Sequence, residues 1–272
     1  MAAVWRRGTA ILSGVLLVPT LGLVVGSVPA SAMPASGPRE TVDLWSSTTR
    51  PNASAGLGYS ARYHSATDPA GDPPALRRLA IEMPPGTRID TSVPGRCTAT
   101  DFELMFAGES ACPRSARIGA GQATVKQAGL GTATYDTVIY NAEGQMLELV
   151  KSGDQVLAVV HTYIRGTTLD GPIPTCMTGG TAPEGCPFDQ LTLLANHLRI
   201  DPVSVGSGAA RRNYGTTTAT CPGSGRWQAP VTLYYGDGSV DRVTPWGPCD
   251  RPHKGADRLR RKPSTDLRPV RR

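Results

Sequence analysis

The chain has 272 residues and a formal charge of +6, with 39% of residues apolar and only 6% aromatic. That charge sits at the ends: residues 250–272 hold nine Lys or Arg against three Asp, whereas the body from 33 to 249 holds 17 basic residues against 19 acidic ones. The body is therefore no electrostatic binder of nucleic acid, and its apolar content is thin for its length.

The chain opens MAAVWRR and then runs uncharged from Gly8 to Pro38. The apolar stretch Ala10 to Val28, broken by Ser13, Pro19 and Thr20, leads into Pro29-Ala30-Ser31-Ala32. A basic start, an apolar middle and a small-residue close describe a secretory signal peptide over 1–32, cleaved after Ala32. An uncleaved anchor helix is the alternative, because the run is almost long enough to span a bilayer. Residues 33–56, with MPASGP and SSTTRPNASAG, read as a flexible N-terminal segment.

From 57 to 249 the sequence reads as one domain built of strands. LGYSARYH (57–64) alternates Leu57, Tyr59, Ala61 and Tyr63 on one face, and LRRLAIEM (76–83) stops at Pro84-Pro85-Gly86. Residues 97–121, CTATDFELMFAGESACPRSARIGAG, carry the one helical patch. Thr100 and Glu103 fit a capping box, and a helix from Asp101 to about Ala107 is expected to turn Phe102, Leu104, Met105 and Phe106 toward a sheet. Residues 133–164 offer three strands broken at Asn-Ala-Glu-Gly and Ser-Gly-Asp, a meander whose breaks supply the positive φ of tight hairpins. Within it QVLAVVHTYI is apolar on both faces, as a covered central strand requires. LTLLANHLRI (191–200) is another strand, and VTLYYGDGSVDRV (231–243) is a hairpin with Asp237-Gly238 at its tip.

The motifs exclude more than they assign. Gly119-Ala120-Gly121 leads into a strand rather than a helix and lacks the third glycine of a dinucleotide loop, and no phosphate-loop lysine follows. There is no C-x-x-C, H-E-x-x-H or G-x-S-x-G, and Asp237, Ser239 and Asp241 lack the spacing of a calcium loop. No cofactor, metal ligand or catalytic residue is therefore assigned. His64, His161, His197 and His253 stand apart in sequence, so a histidine-based hydrolase needs one of them to meet an acid and a nucleophile in space.

All six cysteines (Cys97, Cys112, Cys176, Cys186, Cys221 and Cys249) lie beyond the signal segment. An even count in an exported chain points to disulfides, and six cysteines allow fifteen connectivities. Nearest-neighbour pairing is the expectation: Cys97–Cys112, Cys176–Cys186 and Cys221–Cys249. The first would strap the helix to the strand that begins near Arg117, with Gly119 and Gly121 serving a bulge or a close backbone approach. CMTGGTAPEGC (176–186) reads as a polar loop closed by its own disulfide, a strand connector or, alternatively, a binding surface. The tail, with almost no apolar residues, is expected to be disordered, and is either a solubilising end or a tether to an anionic polymer or lipid at the cell surface.

Several segments occur in a recognisable order: LRRLAIEMPPGTRID, PGRCTATDFEL, ESACPRSARIGAGQATV, LTLLANHLRI and ATCPGSGRWQAPVTLYYGDGSVDRVTPWGPC. In these the chain resembles an uncharacterised group of secreted β-rich proteins of high-GC Gram-positive bacteria, over about residues 57–249. The resemblance implies an exported β-rich domain, adds support to Cys221–Cys249 and brings no catalytic residue. The arginine bias, 24 Arg against four Lys, agrees with a GC-rich source.

These readings combine into an all-β, disulfide-braced domain, a two-sheet β-sandwich of about ten strands with one short helix. The expected role is that of an exported, monomeric, non-enzymatic protein of the extracellular space or cell envelope. Its sheet surface or loops would bind a wall polymer, a lipid or a protein; a secreted hydrolase and a purely structural envelope protein are the alternatives.

Overall fold

The computed structural model describes residues 39–174 and 191–250. The expected signal segment 1–32, the Cys176–Cys186 loop and the basic tail from 251 onward lie outside the described residues.

Eleven strands form one antiparallel sheet: β1 (Glu40–Ser46), β2 (Leu57–Tyr63), β3 (Leu76–Glu82), β4 (Arg117–Gln127), β5 (Gly131–Ala142), β6 (Gln145–Ser152), β7 (Gln155–Arg165), β8 (Thr168–Pro172), β9 (Leu191–Ile200), β10 (Val231–Tyr235) and β11 (Val240–Val243). Their order is β1-β2-β9-β4-β5-β6-β7-β8-β3-β10-β11. The sheet rolls into a nearly closed barrel, which corrects the expected two-sheet sandwich. Both architectures bury every second residue of a strand, so alternation alone does not separate them. Its centre is the unbroken β4–β8 antiparallel meander. Register shifts at Arg117/Gly119, Val150/Lys151, Leu193/Ala195 and Tyr234/Tyr235 add local twist.

The two edges meet through side chains. Arg39, just before β1, forms an ion pair with Asp241 of β11, and its Nη2 donates to Ser239 Oγ at 2.8 Å. Beside this seam the Tyr235 hydroxyl of β10 donates to the buried Glu40 carboxylate of β1. Strand β1 lies inside the segment 33–56 expected to be flexible. Its Val42 and Leu44 pack on the core, while Thr41, Asp43 and Trp45 face outward. The close approach expected at Gly119 and Gly121 is present: a Cβ at either would lie 2.1 Å from a backbone oxygen of β9.

Two apolar layers cover the β5–β7 wall, which explains why QVLAVVHTYI is apolar on both faces. Inside the barrel lie residues such as Ile139, Met146 and Leu169. Outside, Leu104, Ala116, Val138, Leu147, Leu149 and Val156 pack together with the Cys97–Cys112 disulfide. Helix α1 (Asp101–Ala107) carries the expected capping box, with Thr100 N donating to Glu103 Oε2 at 2.8 Å. The helix has only seven residues and so one buried stripe. Leu104 is fully buried, whereas Phe102 and Phe106 are 78% and 86% exposed and stack on each other, contrary to their expected sheet-facing position. At one end of the barrel, Arg226–Gln228 pairs with Trp246–Pro248, and the Cys221–Cys249 disulfide ties the same region.

Candidate functional site

The inward faces of the strands leave a lumen. Its central cavity, about 100 Å³, is walled by residues from eight strands, including Met146 and Glu148 of β6, Val160 and Thr162 of β7, and Asn196 and Leu198 of β9. A second cavity of about 60 Å³ shares Glu148, Val160, Ile173 and Asn196 with the first and extends to Pro174 and Leu191. A third, about 40 Å³, adjoins the centre at Leu44, Leu57 and Met83. An eleven-stranded barrel is wider than the eight-stranded kind that side chains just fill, so space is left along its axis.

Glu148 stands between the first two cavities because of strand periodicity: Met146, Glu148 and Val150 point inward, while Leu147 and Leu149 point into the outer apolar layer. Glu148 is half-buried by accessible surface and lines both cavities, with the apolar neighbours of β5 and β7 packed around it. Burial pushes its pKa up to about 7, and the nearby Thr137 hydroxyl offsets this only in part. Thr137 is itself buried and makes no well-formed hydrogen bond. Beside Glu148 begins a chain of buried hydroxyls: Tyr59 and Tyr63 share a 2.9 Å hydrogen bond, and Tyr63 donates to Asn196 Oδ1 at 3.3 Å. Burial raises both tyrosines above the ordinary phenol range. Glu40, near the seam, is also pushed up to about 7 by burial, partly offset by the hydrogen bond from Tyr235.

Among the described residues the histidines do not converge. His161 lies on the outer face, where Nε2 meets Asp101 Oδ1 at 2.9 Å and Nδ1 meets Gln145 Oε1 at 3.0 Å. These contacts pin α1 to the sheet; among the described residues they bring no Ser, Thr or Cys nucleophile to the ring. His197 stacks on Trp45, and His64 Nδ1 lies 2.8 Å from the Ser65 carbonyl. His253 lies outside the described residues. Asp237 closes its turn by accepting from Ser239 N at 2.9 Å. No group of three or more metal-ligating side chains occurs among the described residues. Two expected disulfides are formed, Cys97–Cys112 and Cys221–Cys249, while Cys176 and Cys186 fall outside the described residues.

Sequence reasoning passed over Glu148. The available signal was a single acid inside the apolar run MLELV, at a position whose neighbours two residues either way face the core.

No protein-family profile and no curated protein matches this sequence. A solved structure titled "AvmM Catalyzes Macrocyclization in Alchivemycin A Biosynthesis" aligns with 79% of this chain and 90% of its own. The identity is 8% and the TM-score 0.25, a likeness too distant to bear on fold or activity.

Proposed function

We propose that this protein is an exported β-barrel whose lumen holds a small apolar molecule. The observation that carries the reading is the central cavity of about 100 Å³, apolar except for Glu148, Asn196, Thr162 and Tyr59. Its size is of the order of an engineered 150 Å³ cavity that stays dry and takes up benzene. Apolar walls with a few convergent polar groups describe small-molecule sites in general. The reading moves the binding surface from the outer sheet face and loops to the interior. Among the ligands considered for the surface, it favours an apolar or lipid-like one. Export is supported by the signal-like N-terminus and by two disulfides, which persist in oxidising compartments.

The test is naphthalene binding, followed by the fluorescence of the hydrocarbon. Wild-type protein should bind it saturably at one site. Val160→Phe, which adds volume where the two larger cavities meet, should weaken binding at least tenfold without unfolding the barrel. Equal binding by both proteins would reject the lumen as the site.

A further inference from the structure

The polar content of the lumen has one sign. None of the described residues that wall the three cavities is a Lys, Arg or His, and Glu148 is the one ionisable acid among them. No cation pairs with Glu148 among the described residues. The side chains facing it are Thr137 and Ile139 from β5, Val160 and Thr162 from β7, and Asn196 from β9, none of them charged. Farther along the core the titratable groups are Tyr59 and Tyr63 on β2, Tyr214, Tyr235 on β10 and Glu40 on β1. Arg39 is held at the seam by Asp241.

We propose that the lumen selects apolar molecules that carry one basic nitrogen, with the protonated amine pairing with the Glu148 carboxylate, and disfavours apolar carboxylates such as fatty acids. The inference rests on the lumen being the binding site. Its physical ground is that a buried charge without a partner is costly, while a cation delivered by the ligand supplies the missing one. A ligand carboxylate would bring a like charge into the same low-dielectric space, which is selection by repulsion. A neutral ligand would meet Glu148 in its protonated form and gain only packing.

Because the pairing needs ionised Glu148, amine binding is linked to protons. A simple alkyl- or arylmethyl-amine stays protonated between pH 5.5 and 8, so the change in affinity over that range reports Glu148. When the competent form is a minor fraction, apparent affinity falls by that fraction, and with Glu148 titrating at about 7 an increase of about thirtyfold from pH 5.5 to 8 is the expected scale.

The experiment compares benzylamine, benzyl alcohol and phenylacetate by titration calorimetry, on wild-type protein and Glu148→Gln. Benzylamine should bind wild type about tenfold more tightly than benzyl alcohol at pH 8, and phenylacetate should bind most weakly. The amine's margin should shrink at pH 5.5 and vanish in Glu148→Gln, which should still take benzyl alcohol. Equal affinity for amine and alcohol in wild type at pH 8, or a margin that survives in Glu148→Gln, overturns the proposal and leaves the lumen reading intact. Failure of benzyl alcohol to bind at all rejects both. Should Glu148→Gln not fold, the wild type decides alone: at pH 6.5 benzylamine binding should release about three quarters of a proton, measured in buffers of different ionisation heat, and no release overturns the proposal.

Discussion

Replacing Glu148 with glutamine isolates the cost of keeping an ionised carboxyl inside the barrel. In the folded protein its pKa stands at about 7 against an ordinary 4.5, raised mainly by burial. A group whose folded pKa is raised contributes stability in its protonated form, present in full below the unfolded pKa and lost as pH climbs through the folded one. Wild type should therefore lose stability between about pH 4.5 and pH 7.5, and little more from this group above that. At 1.36 kcal/mol per pKa unit, the loss from Glu148 is about 3 kcal/mol. Glutamine keeps the shape and has no such titration. Glu40 also titrates upward, but equally in both proteins, so it cancels in the difference. The assay is urea denaturation of both proteins with disulfides intact, at pH 5, 6, 7 and 8. The stability difference should move by about 2.5 kcal/mol in favour of Glu148→Gln from the lowest to the highest pH, the rest of the change lying below pH 5. Parallel pH profiles would show that Glu148 ionises as if in water, and its burial in the lumen would have to be given up.

Other perturbations test the scaffold. Replacing Cys97 and Cys112 together with serine should lower stability by about 3 kcal/mol, the loop-closure value for a span of about 15 residues, read from the denaturation midpoint. Leu149→Ala, at a fully buried position under α1, should cost about 2–5 kcal/mol in the same assay. Gly121→Ala would force a Cβ to within 2.1 Å of the His197 carbonyl and should destabilise the barrel by about 1–3 kcal/mol, with amide exchange accelerated first in β4 and β9. Arg39→Ala removes the seam's central cation and should speed amide exchange in β1 and β11 while β5–β7 stay protected. Deleting residues 250–272 should weaken binding to anionic vesicles at low salt, and unchanged binding would dismiss the tail as a tether.

Local rules were legible in the sequence where they are set by neighbours in the chain. The capping box at Thr100 and Glu103, the meander from 133 to 164, the Asp237-Gly238 hairpin and the Cys97–Cys112 strap follow from turn chemistry, capping and spacing, and all are present. What was not legible depends on how the sheet closes. Alternation in β5–β7 states that one face is buried but not whether it faces a second sheet or the far wall of the same one. Strand β1 was obscured because Ser- and Thr-rich flanks surround it and its first inward residue is Glu40, a charge made tolerable only by Tyr235 from a strand nearly 200 positions away. Phe102 and Phe106 read as buried because the helix is rich in apolar residues, whereas seven residues supply one stripe, taken by Leu104. Glu148 was visible as a lone acid among apolar residues. Its meaning depended on the barrel, since only a closed sheet turns that face into a cavity.

The most direct measurement is the set of intermolecular nuclear Overhauser effects between bound naphthalene and methyl groups of the isotope-labelled protein. A molecule seated in the lumen should show contacts to the methyls of Ile139, Met146, Val160 and Leu198, which wall the central cavity. Contacts confined to outward-facing groups, or to the exposed Phe102–Phe106 pair, would contradict the account and place apolar binding on the outside of the barrel.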